Sequence, residues 1–283
     1  MKSRGAALVL VLWLVAMLTA LIGGFALSAR VEALQGKLLR DGVAGEEIAR
    51  AGIEYALVRL VDEQPKTRWL PDGRAYAWHF ADAELRIRIV DETGKVDLNQ
   101  ADVGLLSALM QVLGSEPAQA EAVAAAIVDW RDEDSLTQPV GGAEDPDYAA
   151  AGLPYGAKDA PFETVAEVEQ VLGMTPELFA RMQPFLTLHA GRVMPDPNLA
   201  PEPVLRALGL DPAEYEARRQ AADIDPAMQQ FIGAGSGTYS IESRARLADG
   251  RTTVLRRVVR AGSGPIPASA YVTLRQDSGF DPR

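Results

Sequence analysis

Residues 6–27 read AALVLVLWLVAMLTALIGGFAL without one charge, directly behind Lys2, Arg4 and Gly5. Wound as a helix rising about 1.5 Å per residue, such a run reaches across a hydrocarbon core of about 30 Å. No other stretch constrains the fold so strongly, because backbone polar groups in lipid must be satisfied within the segment itself. Lys2 and Arg4 hold the short N-terminal flank on the cytoplasmic side, which places the bulk of the chain on the other side. A secretory signal is the competing reading, since residues 26–28 and 27–29 roughly resemble small-residue cleavage sites. The run is longer than a usual signal core, however, and continues without a turn signal into residues 30–62. There Ile48, Ala51, Ile53, Tyr55, Leu57, Leu60 and Val61 recur at helical spacing, and Pro65 lies just past the end. The pattern predicts one long helix over 6–62, membrane-embedded in its first half and amphipathic in its second. Gly23, Gly24, Gly36, Gly42 and Gly45 should weaken it locally.

Beyond this helix, residues 74–80 and 83–92 alternate and are β-rich, with Ala81-Asp82 as a turn between them. Near the C-terminus, GTYSIESRARL and RTTVLRRVVRA form a second hairpin around Ala248-Asp249-Gly250. Residues 93–235 read as mostly helical, so a small α+β domain is split by a long helical insert. After Ala261 the chain turns Gly/Pro/Ser-rich, which predicts a mobile tail with a short strand over 270–274. The insert repeats itself: DLNQADVGLLSAL (97–109) matches DPNLAPEPVLRAL (196–208) at a constant offset. Asn99 and Asn198 stand where each could cap the helix that follows.

Composition removes several function classes. The chain has no cysteine and only His79 and His189, so thiolate chemistry is impossible and a histidine-based zinc or catalytic site is disfavoured. Its formal net charge of -11 opposes non-specific contact with phosphate backbones and anionic headgroups. No Gly-rich phosphate loop follows a strand, and neither histidine sits in a nucleophile motif. Both histidines, and Trp69, Trp78 and Trp130, read as structural. The chain is expected not to be an enzyme.

A positively charged leader, a glycine, and a long apolar helix running into an amphipathic one resemble the layout of type IV pilins and type II secretion pseudopilins. The resemblance implies that a prepilin peptidase cuts between Gly5 and Ala6 on the cytoplasmic side, that the apolar helix is retained, and that the mature chain is methylated. Most family members place glutamate at the fifth mature residue; this chain has Leu10 there. In a filament that glutamate is thought to neutralise the N-terminal ammonium of the neighbouring subunit. A subunit with nothing above it has no ammonium to neutralise, and an unpaired charge in an apolar bundle is costly. Lacking it is typical of minor pseudopilin K, which is placed at the filament tip.

The most specific stretch lies inside the insert. DWRDED, GGAEDPDY and APFETVAEV, over residues 129–168, also resemble the minor pseudopilin K family. The segment crowds Asp129, Asp132, Glu133, Asp134, Glu144, Asp145 and Asp147 into one acidic loop. Calcium, which takes several carboxylate and carbonyl oxygens, could relieve their repulsion, and the resemblance also implies calcium here. Asp132, Asp134, Glu144 and Asp147 are the candidate ligands; the spacing is not that of an EF-hand.

The expected fold is thus α+β and type IV pilin-like: a leader over 1–5, the helix over 6–62 with its membrane part at 6–27, and an α+β domain over 63–92 and 236–275. A helical domain with two helix-hairpin-helix-like repeats is inserted over 93–235, and a mobile tail occupies 276–283. The resemblance implies a single-pass inner-membrane protein with a periplasmic C-terminal domain. It would assemble with minor pseudopilins I and J and other type II secretion components at the pseudopilus tip. The alternative is a secreted or membrane-anchored helix-hairpin-helix DNA-binding protein. Such hairpins use a glycine pair to bring backbone N–H groups to phosphate. Neither repeat carries that pair, so no nucleic-acid partner is expected.

Overall fold

The computed structural model describes residues 4–224, 235–262 and 271–281. One helix, α1 (Arg4–Leu60), runs unbroken through every glycine in its path. At about 1.5 Å per residue its 57 residues reach about 85 Å. Described side chains over 8–34 are exposed, Leu8, Leu10, Trp13, Phe25 and Leu27 among them, whereas Ala49, Ile53 and Ala56 are fully buried. Of the expected apolar list, Ile48, Ile53, Tyr55, Leu57 and Leu60 pack in the sheet core while Val61 is exposed, and the small residues Ala49 and Ala56 add to the contact. Gly45 lies against Leu247 and Thr253, and Gly52 against Leu85 and Ser243, each too close to admit a Cβ without displacement. Gly45, expected to weaken the helix, and Gly52 instead let it settle onto a sheet.

That sheet has five strands in the order β1 (Asp72–Phe80), β2 (Ala83–Asp91), β5 (Thr238–Arg246), β6 (Thr252–Ala261), β7 (Tyr271–Asp281). Every pairing is antiparallel. The first hairpin turns at Ala81 and Asp82, both at positive φ (51° and 60°), the conformation a two-residue hairpin loop demands. Inward residues of β2 and β5 alternate with outward ones, and Leu85, Ile87, Ile89, Ile241, Ala245 and Leu255 form a core with α1. Beside it, Trp78 stacks on Tyr55 at 4.2 Å and Trp69 on Tyr76 at 4.4 Å.

One expectation is corrected at the C-terminus. Residues 276–281, assigned to a mobile tail, belong to β7, which pairs along β6 from Ala261↔Tyr271 to Thr252↔Asp281. The physical reason is the open edge of β6: its unpaired backbone groups accept a strand whose own sequence signals a turn. The leader residues 1–3, the end of the insert (225–234), most of the Gly/Pro-rich linker (263–270) and the last two residues lie outside the described residues.

Everything from residue 92 to 237 is inserted between the neighbouring strands β2 and β5. It contains β3 (Val96–Asp97), α2 (Val103–Val112), α3 (Pro117–Arg131), α4 (Asp145–Ala150), α5 (Pro176–Met182), β4 (Leu186–Thr187), α6 (Glu202–Ala207) and α7 (Pro212–Ile224). A separate core built on Leu106, Leu109, Met110, Ile127, Tyr148 and Leu178 fills it. Both expected repeats are helix pairs, α2–α3 and α6–α7, and the structure adds a third junction of the same design. Leu113-Gly114, Leu172-Gly173 and Leu208-Gly209 each end a helical segment with glycine at positive φ (93°, 83° and 73°), and a proline opens the next helix three residues on.

The capping role expected of the two asparagines is not what the structure places there. Asp102 caps α2 by accepting from the Leu105 N–H at 2.8 Å. Asn99 lies too far before the helix and instead brackets Phe162, accepting from its N–H at 2.8 Å and donating to its carbonyl at 3.0 Å. The N-cap of α6 is Pro201, three residues beyond Asn198.

A buried polar clamp joins insert to sheet. Glu92 accepts from Lys95 Nζ at 2.7 Å, from Ser240 Oγ of β5 at 2.5 Å and from Thr187 Oγ1 of β4. Asp91 accepts from the Thr93 and Ser236 N–H groups at 2.9 and 2.6 Å, tying entry to exit.

Candidate functional site

The acidic loop folds back on the end of α3. Asp129 lies in the last turn of α3, Asp132 follows as its C-cap residue, and Glu144 is the N-cap of α4. Ligand-capable oxygens of these three carboxylates lie within 4.8 Å of one another. Asp129 is fully buried and Glu144 is 4% exposed. The backbone holds Asp129 in place: its Oδ2 accepts from the Ala143 N–H at 2.7 Å, and both oxygens lie 3.2 Å from the Gln138 nitrogen. Gly142 packs against the Asp129 carboxylate where a Cβ would collide with it.

Asp129, Asp132 and Glu144 form no ion pair among the described residues, and the charge of Arg131 offsets the repulsion at Asp132 only in part. Arg131, the nearest arginine in sequence, turns away and donates to the carbonyls of Leu98 and Ala101. Burial and mutual repulsion therefore raise all three carboxyl pKa values. For Asp129 burial leads, with Asp134 adding to it; for Asp132 burial leads, then Asp129 and Asp134. Glu144 is pushed up to about 7, by burial first and then by Asp129, Asp132, Asp159 and Asp134. Asp132 Oδ1 and Glu144 Oε1 are buried and receive no hydrogen bond. Orphaned, converging carboxylate oxygens are the donor set of a hard divalent cation.

Of the four candidate ligands, Asp132 and Glu144 are brought together and the other two are engaged elsewhere. Asp134 accepts from the Leu136 N–H at 2.8 Å, and Asp147 closes a capping box by accepting from the Glu144 N–H at 3.0 Å. Asp129 takes their place. Its signal was the i, i+3 spacing from Asp132, which puts both carboxylates on one side of the last helical turn. Gly5 and Ala6 lie within α1, and Leu10 is exposed on its apolar segment.

A family model described as Type II secretion system (T2SS), protein K matches residues 87–191, the stretch holding Asp91, Glu92, Lys95 and Thr187 of the clamp and the acidic centre. Type II secretion system protein K of Klebsiella pneumoniae is 28% identical over 209 residues, 65% of this chain and 62% of the relative. The protein K of Dickeya chrysanthemi is 34% identical over 152 residues, covering 49% and 40%. That of Pectobacterium carotovorum subsp. carotovorum is 28% identical over 129, covering 44% and 39%. The matched part thus spans about two fifths to three fifths of these relatives. The fold resembles a chain in the crystal structure of the GspK-GspI-GspJ complex from the enterotoxigenic Escherichia coli type 2 secretion system. The TM-score is 0.54 at 19% identity, over 89% of this chain and 99% of that one. With its apolar N-terminal helix, its sheet split by a helical insert and its 87–191 match, the chain is similar to type II secretion system protein K.

Proposed function

We propose that the chain is a non-enzymatic minor pseudopilin that ends the pseudopilus of a type II secretion system. It assembles with minor pseudopilins I and J as an inner-membrane protein with its folded part in the periplasm. The observation that carries this reading is α1, a single helix whose described apolar side chains over 8–27 are exposed and whose second half is built into the sheet. A discarded signal would not be continuous with the core. The exposed segment supplies the surface on which equivalent helices pack. Leu10 removes the carboxylate that would need a neighbour's ammonium, which favours a terminal position, and the prepilin peptidase makes the cut between Gly5 and Ala6. The helix-hairpin-helix pairs act as structural units. Their junctions carry single glycines, and Arg131 and Arg219 donate to carbonyls of the loops that precede α2 and α6.

Calcium belongs to this reading. Asp129, Asp132 and Glu144 would hold it, and the charge it supplies would pin the end of α3 to the start of α4. These residues position the loop 133–143, whose Leu136 and Val140 are exposed.

Assembly is tested by co-expressing the tagged full chain with minor pseudopilins I and J and purifying it in detergent. Both are expected to co-purify at equal stoichiometry, and Leu10→Glu should leave the trio intact while allowing further subunits to add. Recovery of the chain without I and J would contradict the proposal.

A further inference from the structure

The sheet face turned away from α1 gathers positive charge in a chain whose net charge is -11. Its outward positions on β2, β5 and β6 hold Arg86, Arg88, Arg244, Arg246, Arg256 and Arg260, against only Glu84 and Glu242. Arg86 pairs in register with Arg244, a like-charge juxtaposition that costs stability unless something else offsets it. Glu242 is shared, 2.6 Å from Arg256 and 3.6 Å from Arg244. Arg86, Arg88, Arg246 and Arg260 are exposed and form no ion pair among the described residues.

We propose that this arginine face is a docking surface for a carboxylate-rich patch on another protein, seated across the sheet from α1. Charge complementarity selects the chemistry, and geometry selects the class. Gly45 meets Leu247 and Thr253 at one end of the hairpin and Gly52 meets Ser243 midway, so α1 runs along the strands on the opposite face. The arginines therefore look sideways from the helix, and a bilayer crossed by residues 8–27 cannot lie flat on them. An extended polyphosphate would reach past the patch into the acidic remainder of the chain. A compact acidic protein surface feels mainly what lies within a Debye length of about 8 Å. The site is separate from the exposed helix surface assigned above to pseudopilin packing, so loss of one leaves the other intact.

The test uses the full chain in phosphatidylcholine nanodiscs and a fluorescein-labelled polyglutamate peptide of about 15 residues, followed by anisotropy at about 50 mM salt. The triple variant R86Q/R88Q/R260Q is expected to weaken binding about tenfold, and R86K/R88K/R260K to keep it within about threefold. R192Q/R206Q/R218Q, which removes three arginines from the insert, should change it less than about twofold. Retention of binding in the first triple, an equal loss in the insert triple, loss in the lysine triple, or tighter binding of duplex DNA of matched charge overturns the proposal.

Discussion

Glu92→Ala is expected to lower the unfolding free energy by about 3–5 kcal/mol, the usual cost of breaking a buried ion pair from one side. The Glu92 side chain is 2% exposed and that of Lys95 11%, so truncation strands an ammonium with Ser240 Oγ as its remaining bonded partner. It also leaves Thr187 and Ser240 without their acceptor, and these hydroxyls come from opposite sides of the boundary between insert and sheet. The acid limb carries the sign. Burial alone would raise the Glu92 pKa, but the charge of Lys95 and the hydrogen bonds from Lys95, Ser240 and Thr187 outweigh it and hold the pKa below its ordinary 4.5. The contribution is therefore fully present above pH 4.5 and is lost as pH falls through the lower folded value. Chemical denaturation of the full chain in detergent at pH 7 and in acid measures both parts. Glu202→Ala, which removes an exposed pair with Arg206, should change stability by less than about 0.5 kcal/mol. A Glu92→Ala chain as stable as the parent at pH 7 would remove the clamp from the account.

Calcium is expected to raise the melting temperature at pH 7.5 relative to chelator, by the equivalent of about 2.7 kcal/mol when present at a hundredfold excess over its Kd. Without the ion, Glu144 works in the opposite sense to Glu92. Its folded pKa of about 7 lies above the ordinary 4.5. The associated stability is fully present below pH 4.5 and disappears as pH rises through about 7, where three carboxylates must share one site. Calcium should restore what the rise in pH removes. Glu144→Gln should stabilise the chelated chain at pH 7.5 and shrink its response to calcium. Asp134→Asn should leave most of the response, because that carboxylate serves a backbone N–H instead. Identical melting in chelator and in calcium would end the metal proposal.

Local pattern carried much of this fold and missed what depends on distance. The long helix, both hairpins with their turns at Ala81-Asp82 and Ala248-Asp249-Gly250, and the repeat at 97–109 and 196–208 follow from periodicity, turn chemistry and self-similarity. The strand β7 was expected only over 270–274 because the chain after Ala261 is Gly/Pro/Ser-rich, and pairing with the edge of β6 carries it on to Asp281. The small-residue seam of α1 was hidden for a related reason. Gly45 and Gly52 cost helix propensity locally, and their value appears only against Thr253 and Ser243, about two hundred residues away. At the acidic centre the cluster itself was legible, but its membership was not. Spacing cannot tell that Asp147 and Asp134 serve backbone N–H groups, nor that residues 138–143 fold over Asp129. The clamp around Glu92 was invisible in the chain, since its partners stand at 95, 187 and 240.

The most direct measurement is the intact mass and N-terminal peptide of the membrane-extracted chain from cells with and without prepilin peptidase. The account predicts a mature chain beginning at Ala6 only when the peptidase is present, with α1 retained. A chain beginning near Ala29 would contradict it, because the apolar segment would then be a discarded signal and no filament helix would remain.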